Sequence, residues 1–256
     1  MGSQGTPGPI RLAILMTDVP LPGTCARYTD YAGVFTDMFA RAVAPAPLSD
    51  FLTVTKHDVV ADGAGASYPR PEDVDAVLIT GSRHDSFADD PWILRLVDWT
   101  RAALAAEGPS RVRVVGVCFG HQIVARALGA RVDRNPGGWE LAVTEVRLSA
   151  EGRKLFGLDK MRIHQMHRDA VFSYPAGAVP LADTDICPVQ GMLVPGKVIT
   201  VQGHPEFTEG IVREILESRH DSKIISDELY KSGIDRVANE HDGLTIARAF
   251  LKFMRE

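Results

Sequence analysis

From Val114 to Gln122 the chain reads Val-Val-Gly-Val-Cys-Phe-Gly-His-Gln, and this segment limits the fold more than any other. An apolar run ends at Cys118, and the helix-forming stretch FGHQIVARALGA begins at once. Gly116 and Gly120 stand two residues before and two after the cysteine. A strand that turns into a helix without a loop brings backbone close on both sides of the turn, and small residues are needed there. The segment therefore requires a buried strand whose end feeds a helix.

The preceding sequence repeats that alternation. RLAILM (Arg11–Met16), FLTVTKHDVV from Phe51, AVLIT (Ala76–Thr80) and VRVVGV (Val112–Val117) read as strands. Their near-continuous apolar character suits strands covered on both faces. Val34, Phe35, Met38, Phe39, Ala42 and Val43 recur at helical spacing, which predicts a helix over Asp30–Val43 stopped by Pro45 and Pro47. Phe35 and Phe39 are expected in the core. Asp89, Asp90 and Pro91 mark the start of a second helix. Asp18–Tyr28, with two prolines and a glycine, reads as a loop. The pattern predicts an α/β, doubly wound, mostly parallel sheet.

After Gly129 come short strand-like runs separated by Gly, Pro and Asp: WELAVTEVRLS, MRIHQMHRDAVF, AVPLAD, PVQGMLV and KVITVQG. They suggest an antiparallel extension of the sheet. From about Thr208 the chain is polar and helical. Residues 1–9 read as a disordered tail and 10–256 as a single domain.

Composition narrows the function classes. With 28 Lys+Arg against 33 Asp+Glu the net charge is −5, which argues against a nucleic-acid partner. No apolar run approaches the ~20 residues that span a bilayer, and MGSQGTPGP lacks the features of a secretory signal. Three cysteines, Cys25, Cys118 and Cys187, cannot all pair, so a reducing, cytoplasmic setting is expected.

A cysteine in an apolar run is ordinarily a packing residue. The glycines and the strand-to-helix switch favour an activated thiol instead, with the helix N-terminus behind the sulfur stabilising thiolate. The N–H of Phe119 is placed where an oxyanion would form. A base is expected in Val-Gln-Gly-His-Pro-Glu-Phe, where His204 follows the strand-like KVITV and Glu206 can orient the imidazole.

Gly-Val-Cys-Phe-Gly-His-Gln with a distant Gly-His-Pro-Glu resembles the class I (triad) glutamine amidotransferase family, whose sheet is a flavodoxin-like amidotransferase core. The likeness runs from about Arg11 to Glu206. Ile79-Thr80-Gly81-Ser82 resembles the loop that completes the family's oxyanion hole. Asn135-Pro136-Gly137-Gly138-Trp139-Glu140 resembles the segment after the nucleophile helix, and His164–Asp169 resembles the stretch whose main chain helps hold the glutamine.

The resemblance implies a cysteine-nucleophile hydrolase of γ-glutamyl amide bonds acting through a glutamyl-thioester. It implies Cys118, His204 and Glu206 as the catalytic set, with backbone N–H groups of Gly81, Ser82 and Phe119 as the oxyanion hole. Gln122, His167, Arg168 and Asp169 are then the substrate contacts, and glutamine or a γ-glutamyl compound the small-molecule substrate. No cofactor and no metal are implied. The chain carries neither a P-loop nor a Rossmann fingerprint, so it is expected to be closer to the stand-alone branch, which includes γ-glutamyl peptidases that trim glutathione conjugates. Two alternatives stay open: a glutaminase subunit supplying ammonia to a separate synthetase, and a catalytically idle binding or regulatory relative.

Gly-Ser-Arg-His-Asp-Ser-Phe replaces the family's commoner Gly-Gly-Pro loop, so Arg83 and His84 face substrate or solvent. His164, His167 and Cys118 invite comparison with a metal site, but H-x-x-H in a strand argues against one. Cys25 and Cys187 read as ordinary loop thiols. Lys154, Lys160, Arg162 and Arg168 read as a solvated basic face.

Overall fold

The computed structural model describes residues 8–61, 65–108 and 111–256. Most of the expected 1–9 tail lies outside them. Nine strands form one sheet in the order β2-β1-β3-β4-β11-β10-β9-β6-β7. The first half is parallel. β1 (Ile10–Met16) pairs with β2 (Leu52–Asp58) and β3 (Ala76–Ile79), β3 with β4 (Arg113–Val117), and β4 with β11 (Val198–Val201). Every residue of β3 and β11 is buried, the pattern of strands covered on both faces.

The second half is antiparallel: β11 to β10 (Gly191–Val194), β10 to β9 (Val179–Asp183), β9 to β6 (Glu140–Leu148) and β6 to β7 (Lys160–His167). KVITV, expected in the antiparallel extension, thus lies parallel to β4 along its other edge. The antiparallel half also curls back. His164 of β7 bridges His204, just beyond β11, and accepts a hydrogen bond from its N–H at 2.7 Å.

MRIHQMHRDAVF forms two strands rather than one. Arg168 breaks it, and β8 (Asp169–Val171) leaves the large sheet to pair with β5 (Val132–Arg134). The expected Asp18–Tyr28 loop contains a helix, α1 (Pro22–Tyr28), with proline at its start, where a missing N–H costs nothing.

Helices cover both faces. α2 (Tyr31–Val43) begins at Asp30, whose carboxylate accepts from Gly33 N–H at 2.9 Å. Its Phe35, Met38 and Phe39 pack with Ile246, Phe250 and Met254 of α8 (Gly243–Arg255) against β1 and β3. On the other face, α3 (Pro91–Ala105) and α4 (Phe119–Ala127) bury Trp92, Ile93, Leu96, Phe119 and Ile123. α5 (Ala150–Phe156) follows β6. α6 (Glu209–Asp221) and α7 (Asp227–Arg236) cover β6 and β7 through Ile211, Leu216, Leu141 and Met166. Among the described residues no helix is long and apolar enough to cross a membrane.

Candidate active site

β1, β3, β4 and β11 run parallel, so their C-terminal ends gather Thr17, Gly81, Cys118 and Gln202 at one edge of the sheet. Open α/β sheets place their sites at such an edge. Cys118 occupies the step between β4 and α4 with φ 51° and ψ −104°. That backbone is rare for a residue with a Cβ and costs on the order of 1–3 kcal/mol. It is held by the Cys118 N–H donating to Val201 O at 3.0 Å and Gly120 N–H donating to Thr80 O at 3.1 Å. A Cβ on Gly120 would collide with the carbonyl of Ile79, and one on Gly116 would sit 2.7 Å from Gly120 O. The two glycines are therefore a steric requirement of the turn.

His204 and Glu206 follow β11. Nδ1 of His204 lies 2.7 Å from Glu206 Oε1, with both side chains almost fully buried. The ring stacks on Phe207 with centroids 3.9 Å apart and planes 3° apart. Gly81 passes so near that a Cβ there would lie 2.6 Å from His204 Cε1 and 3.6 Å from the Cys118 Cβ. Burial works against charge on the imidazole, but the opposed charges of Glu206 and Cys118, with the hydrogen bond to Glu206, outweigh it and raise the pKa to about 10. His204 is thus an imidazolium at neutral pH, beside Cys118.

The N–H groups of Gly81, Ser82 and Phe119 donate to no acceptor among the described residues. Ser82 Oγ is turned away, donating to Thr17 O at 2.8 Å. A cleft opens at Cys118, flanked by Ser82–Asp85, Gln122 and Met166–Asp169, with Trp139 and Arg219 on its wall. Of the residues expected at the site, Ser82, Cys118, Gln122, His167, Arg168 and Asp169 line this cleft. Gln122, however, has its amide engaged internally: Oε1 accepts from Ser86 Oγ at 2.7 Å, and Nε2 donates to Asp169 O and Gln202 Oε1. It lines the cleft as a fixed wall. Arg83 is tied to Asp18 at 2.9 Å. Arg134 pairs with both Asp85 and Asp169, and burial pushes the Asp169 carboxyl above its ordinary range.

Other expectations need correction. Arg168 is not on a solvated face: it lies over the Trp139 ring at the cleft. Cys25 lies in α1 rather than in a loop, and Cys187 is fully buried, its thiol pushed up to about 12 by that burial. Among the described residues His164, His167 and Cys118 form no donor cluster. Positions three apart in a strand face opposite sides; the His164 ring meets His241, centroids 4.6 Å apart, while His167 Nε2 lies 3.1 Å from Glu140 Oε2. The donor atoms of Glu140, His167 and Cys187 do lie within 4.8 Å of one another. Glu140 Oε2 already lies 3.1 Å from His167 Nε2 and accepts from the Gln190 amide at 2.7 Å.

Trp139 lies within Asn135–Glu140 but carries no role of its own in the sequence, and Arg219 carries no sequence signal. It is one charged position on an amphipathic helix, and only the packing of α6 brings it to the cleft.

A strained cysteine elbow, an adjoining imidazolium–carboxylate pair and unclaimed N–H groups at the edge of a doubly wound sheet define a class of nucleophile-elbow proteins. Within it, the model of the class-I glutamine amidotransferases matches residues 72–226, and the chain belongs to that family. A glutamine amidotransferase-like protein of Schizosaccharomyces pombe is 32% identical over 248 residues, covering 96% of this chain and 98% of its own. γ-Glutamyl peptidase 2 of Arabidopsis thaliana is 29% identical over 185 residues, covering 70% and 72%. A glutamine amidotransferase of Thermotoga maritima shares the fold, with a TM-score of 0.71 at 19% identity over 96% of this chain and 99% of its own.

Proposed function

We propose that the protein is a cysteine hydrolase of γ-glutamyl amide bonds. The observation that carries this reading is the His204–Glu206 pair set against the Cys118 elbow, with His204 held charged at neutral pH. Sγ of Cys118, as thiolate, attacks the γ-carbonyl carbon. The oxyanion forms between Phe119 N–H and the N–H of Gly81 or Ser82, each donor contributing roughly 3 kcal/mol. On collapse, His204 gives its proton to the departing amine and the glutamyl-thioester remains. Water, deprotonated by His204, then attacks the thioester; glutamate leaves and the ion pair is restored.

The glutamyl end is placed at Gln122 and His167–Asp169, and the leaving amine toward the Arg83–Phe87 loop. The similarity to a γ-glutamyl peptidase supports a peptide-like substrate. Purified protein should release glutamate from a γ-glutamyl peptide with higher kcat/KM than from glutamine, since leaving-group contacts add transition-state binding that ammonia cannot. Cys118→Ala should abolish turnover and keep the fold, and iodoacetamide should label Cys118 ahead of Cys25 and Cys187. Turnover that appears only when a second protein is added would move the chain to the ammonia-supplying class.

A further inference from the structure

Glu140 opens β6 and His167 closes β7, and the two are direct partners across that antiparallel pair. Their side chains therefore leave the sheet on the same face. The connection from β9 to β10 lays Cys187 against them. One donor atom from each residue, a carboxylate oxygen, a ring nitrogen and Sγ, lies within 4.8 Å of the other two. All three residues are buried, Cys187 completely.

The His167 ring has one nitrogen committed and one open. Nδ1 lies 3.0 Å from Asp169 O, and a carbonyl only accepts, so Nδ1 carries the hydrogen. Nε2 of the neutral imidazole then presents a lone pair. It lies 3.1 Å from Glu140 Oε2, yet among the described residues it has no hydrogen-bond partner. A lone pair and a carboxylate oxygen at that distance repel unless a cation joins them. A proton would serve two of the three donors, whereas a metal ion serves all of them. The surroundings suit a ligand set. A metal-bound histidine commonly donates its other N–H to a carbonyl, and a ligating carboxylate is itself hydrogen-bonded. Asp169 O provides the first. For the second, Gln190 Nε2 donates to Glu140 Oε2 at 2.7 Å, and Gln165 Nε2 donates to Gln190 Oε1 at 2.9 Å.

We propose that Glu140, His167 and Cys187 bind one divalent cation of the zinc type. Thiolate, imidazole and carboxylate together favour zinc over magnesium or calcium. Cys187 releases its proton to solvent on binding. The two anionic ligands then cancel the charge of the ion, so the buried site is neutral. Donors that share one zinc lie roughly 3.3–3.8 Å apart, so closing the set moves them by about 1 Å. Glu140 also lines a surface cavity of about 220 Å³ whose rim sets Glu145, Asp183 and Asp185 against Arg147, an acidic entry for a cation. The ion pins β6, β7 and the Cys187 loop behind the wall of the cleft, and it does so whatever reaction Cys118 performs.

The test titrates chelator-treated protein with Co2+ and then with Zn2+, reading the near-ultraviolet absorption of cobalt-bound thiolate. Cys118 is a competing thiol beside a histidine, so wild type and Cys118→Ala are titrated side by side. Both should bind one equivalent with the thiolate band, and Zn2+ should displace Co2+ and raise the melting temperature. Cys187→Ala should lose the band, while His167→Gln and Glu140→Gln should weaken binding by about tenfold or more. Circular dichroism checks that each variant is folded; if Cys187→Ala is not, the other two decide. A wild type without the thiolate band overturns the site. So does a band that vanishes in Cys118→Ala, which would place the metal at the elbow, or binding left unchanged in both His167→Gln and Glu140→Gln.

Discussion

At the scale of single residues, the charge on His204 is decided between two opposed effects. Burial alone would leave the imidazole neutral, as it does at His164, pushed down to about 3 chiefly by desolvation. At His204 the facing charges of Glu206 and Cys118 win. Glu206 is well placed for this, because its second oxygen is buried with no hydrogen-bond partner and its charge is not shared out. Glu206→Gln keeps the shape but removes the charge, so desolvation should again dominate and the His204 pKa should fall. The proton that His204 must hold for the leaving amine is then lost at lower pH. The alkaline limb of the kcat/KM profile should move down by at least one pH unit, and kcat should fall less than in His204→Ala. A pH–rate series on the three proteins checks this; an unchanged profile in Glu206→Gln would reduce the working set to Cys118 and His204.

At the scale of elements, support and chemistry are separable. α8 buries Phe250 completely against α2, within the same cluster as Phe35, Met38 and Phe39. Phe250→Ala removes a large core side chain from a face that does not line the cleft. It should cost about 3–5 kcal/mol, read as a lower urea midpoint, while turnover per folded molecule at low temperature stays at the wild-type level. Elements of this kind were legible in the sequence, because an apolar stripe at helical spacing or a continuous apolar strand is a local pattern. The start of α2 near Asp30 and the β4–α4 elbow were readable for the same reason. The Cys118 and His204-x-Glu206 segments were too, since each is short. The breaking of MRIHQMHRDAVF at Arg168 was not, because β8 leaves to pair with β5 and pairing is a tertiary choice. Nor was the parallel setting of β11, which depends on β4 offering a free edge. The Trp139–Arg168–Arg219 stack was least visible, since its members are separated in the chain and meet only when α6 packs on β6 and β7.

At the scale of the whole molecule, the curled sheet buries histidines in opposite charge states, so pH should weaken the fold from both sides. His121 is fully buried in α4, with Nδ1 at 2.7 Å from Thr200 Oγ1 and Nε2 at 3.1 Å from Val189 O. Desolvation, the largest cause, lowers its pKa to about 3. His164, at the bridge that closes the curl, is lowered to a similar value. An unfolded chain protonates both near the ordinary histidine value of about 6.5. Below that pH the unfolded state binds more protons, so the stability these groups contribute is fully present above about 6.5 and is lost as pH falls toward 3. At pH 5 the loss is roughly 2 kcal/mol for each. His204 has the opposite sign: its raised pKa contributes stability that is whole below about 6.5 and lost as pH rises through about 10. Urea unfolding at pH 7 and pH 5 should therefore show a clear acid-side loss. His121→Gln, which keeps hydrogen-bonding atoms but cannot be protonated, should be less stable at pH 7 yet lose only about half as much between the two pH values. A variant with the wild-type pH slope would mean that His121 titrates at the same pH in the folded and the unfolded chain, and the buried contact with Val189 O would then have to carry an imidazolium at pH 5.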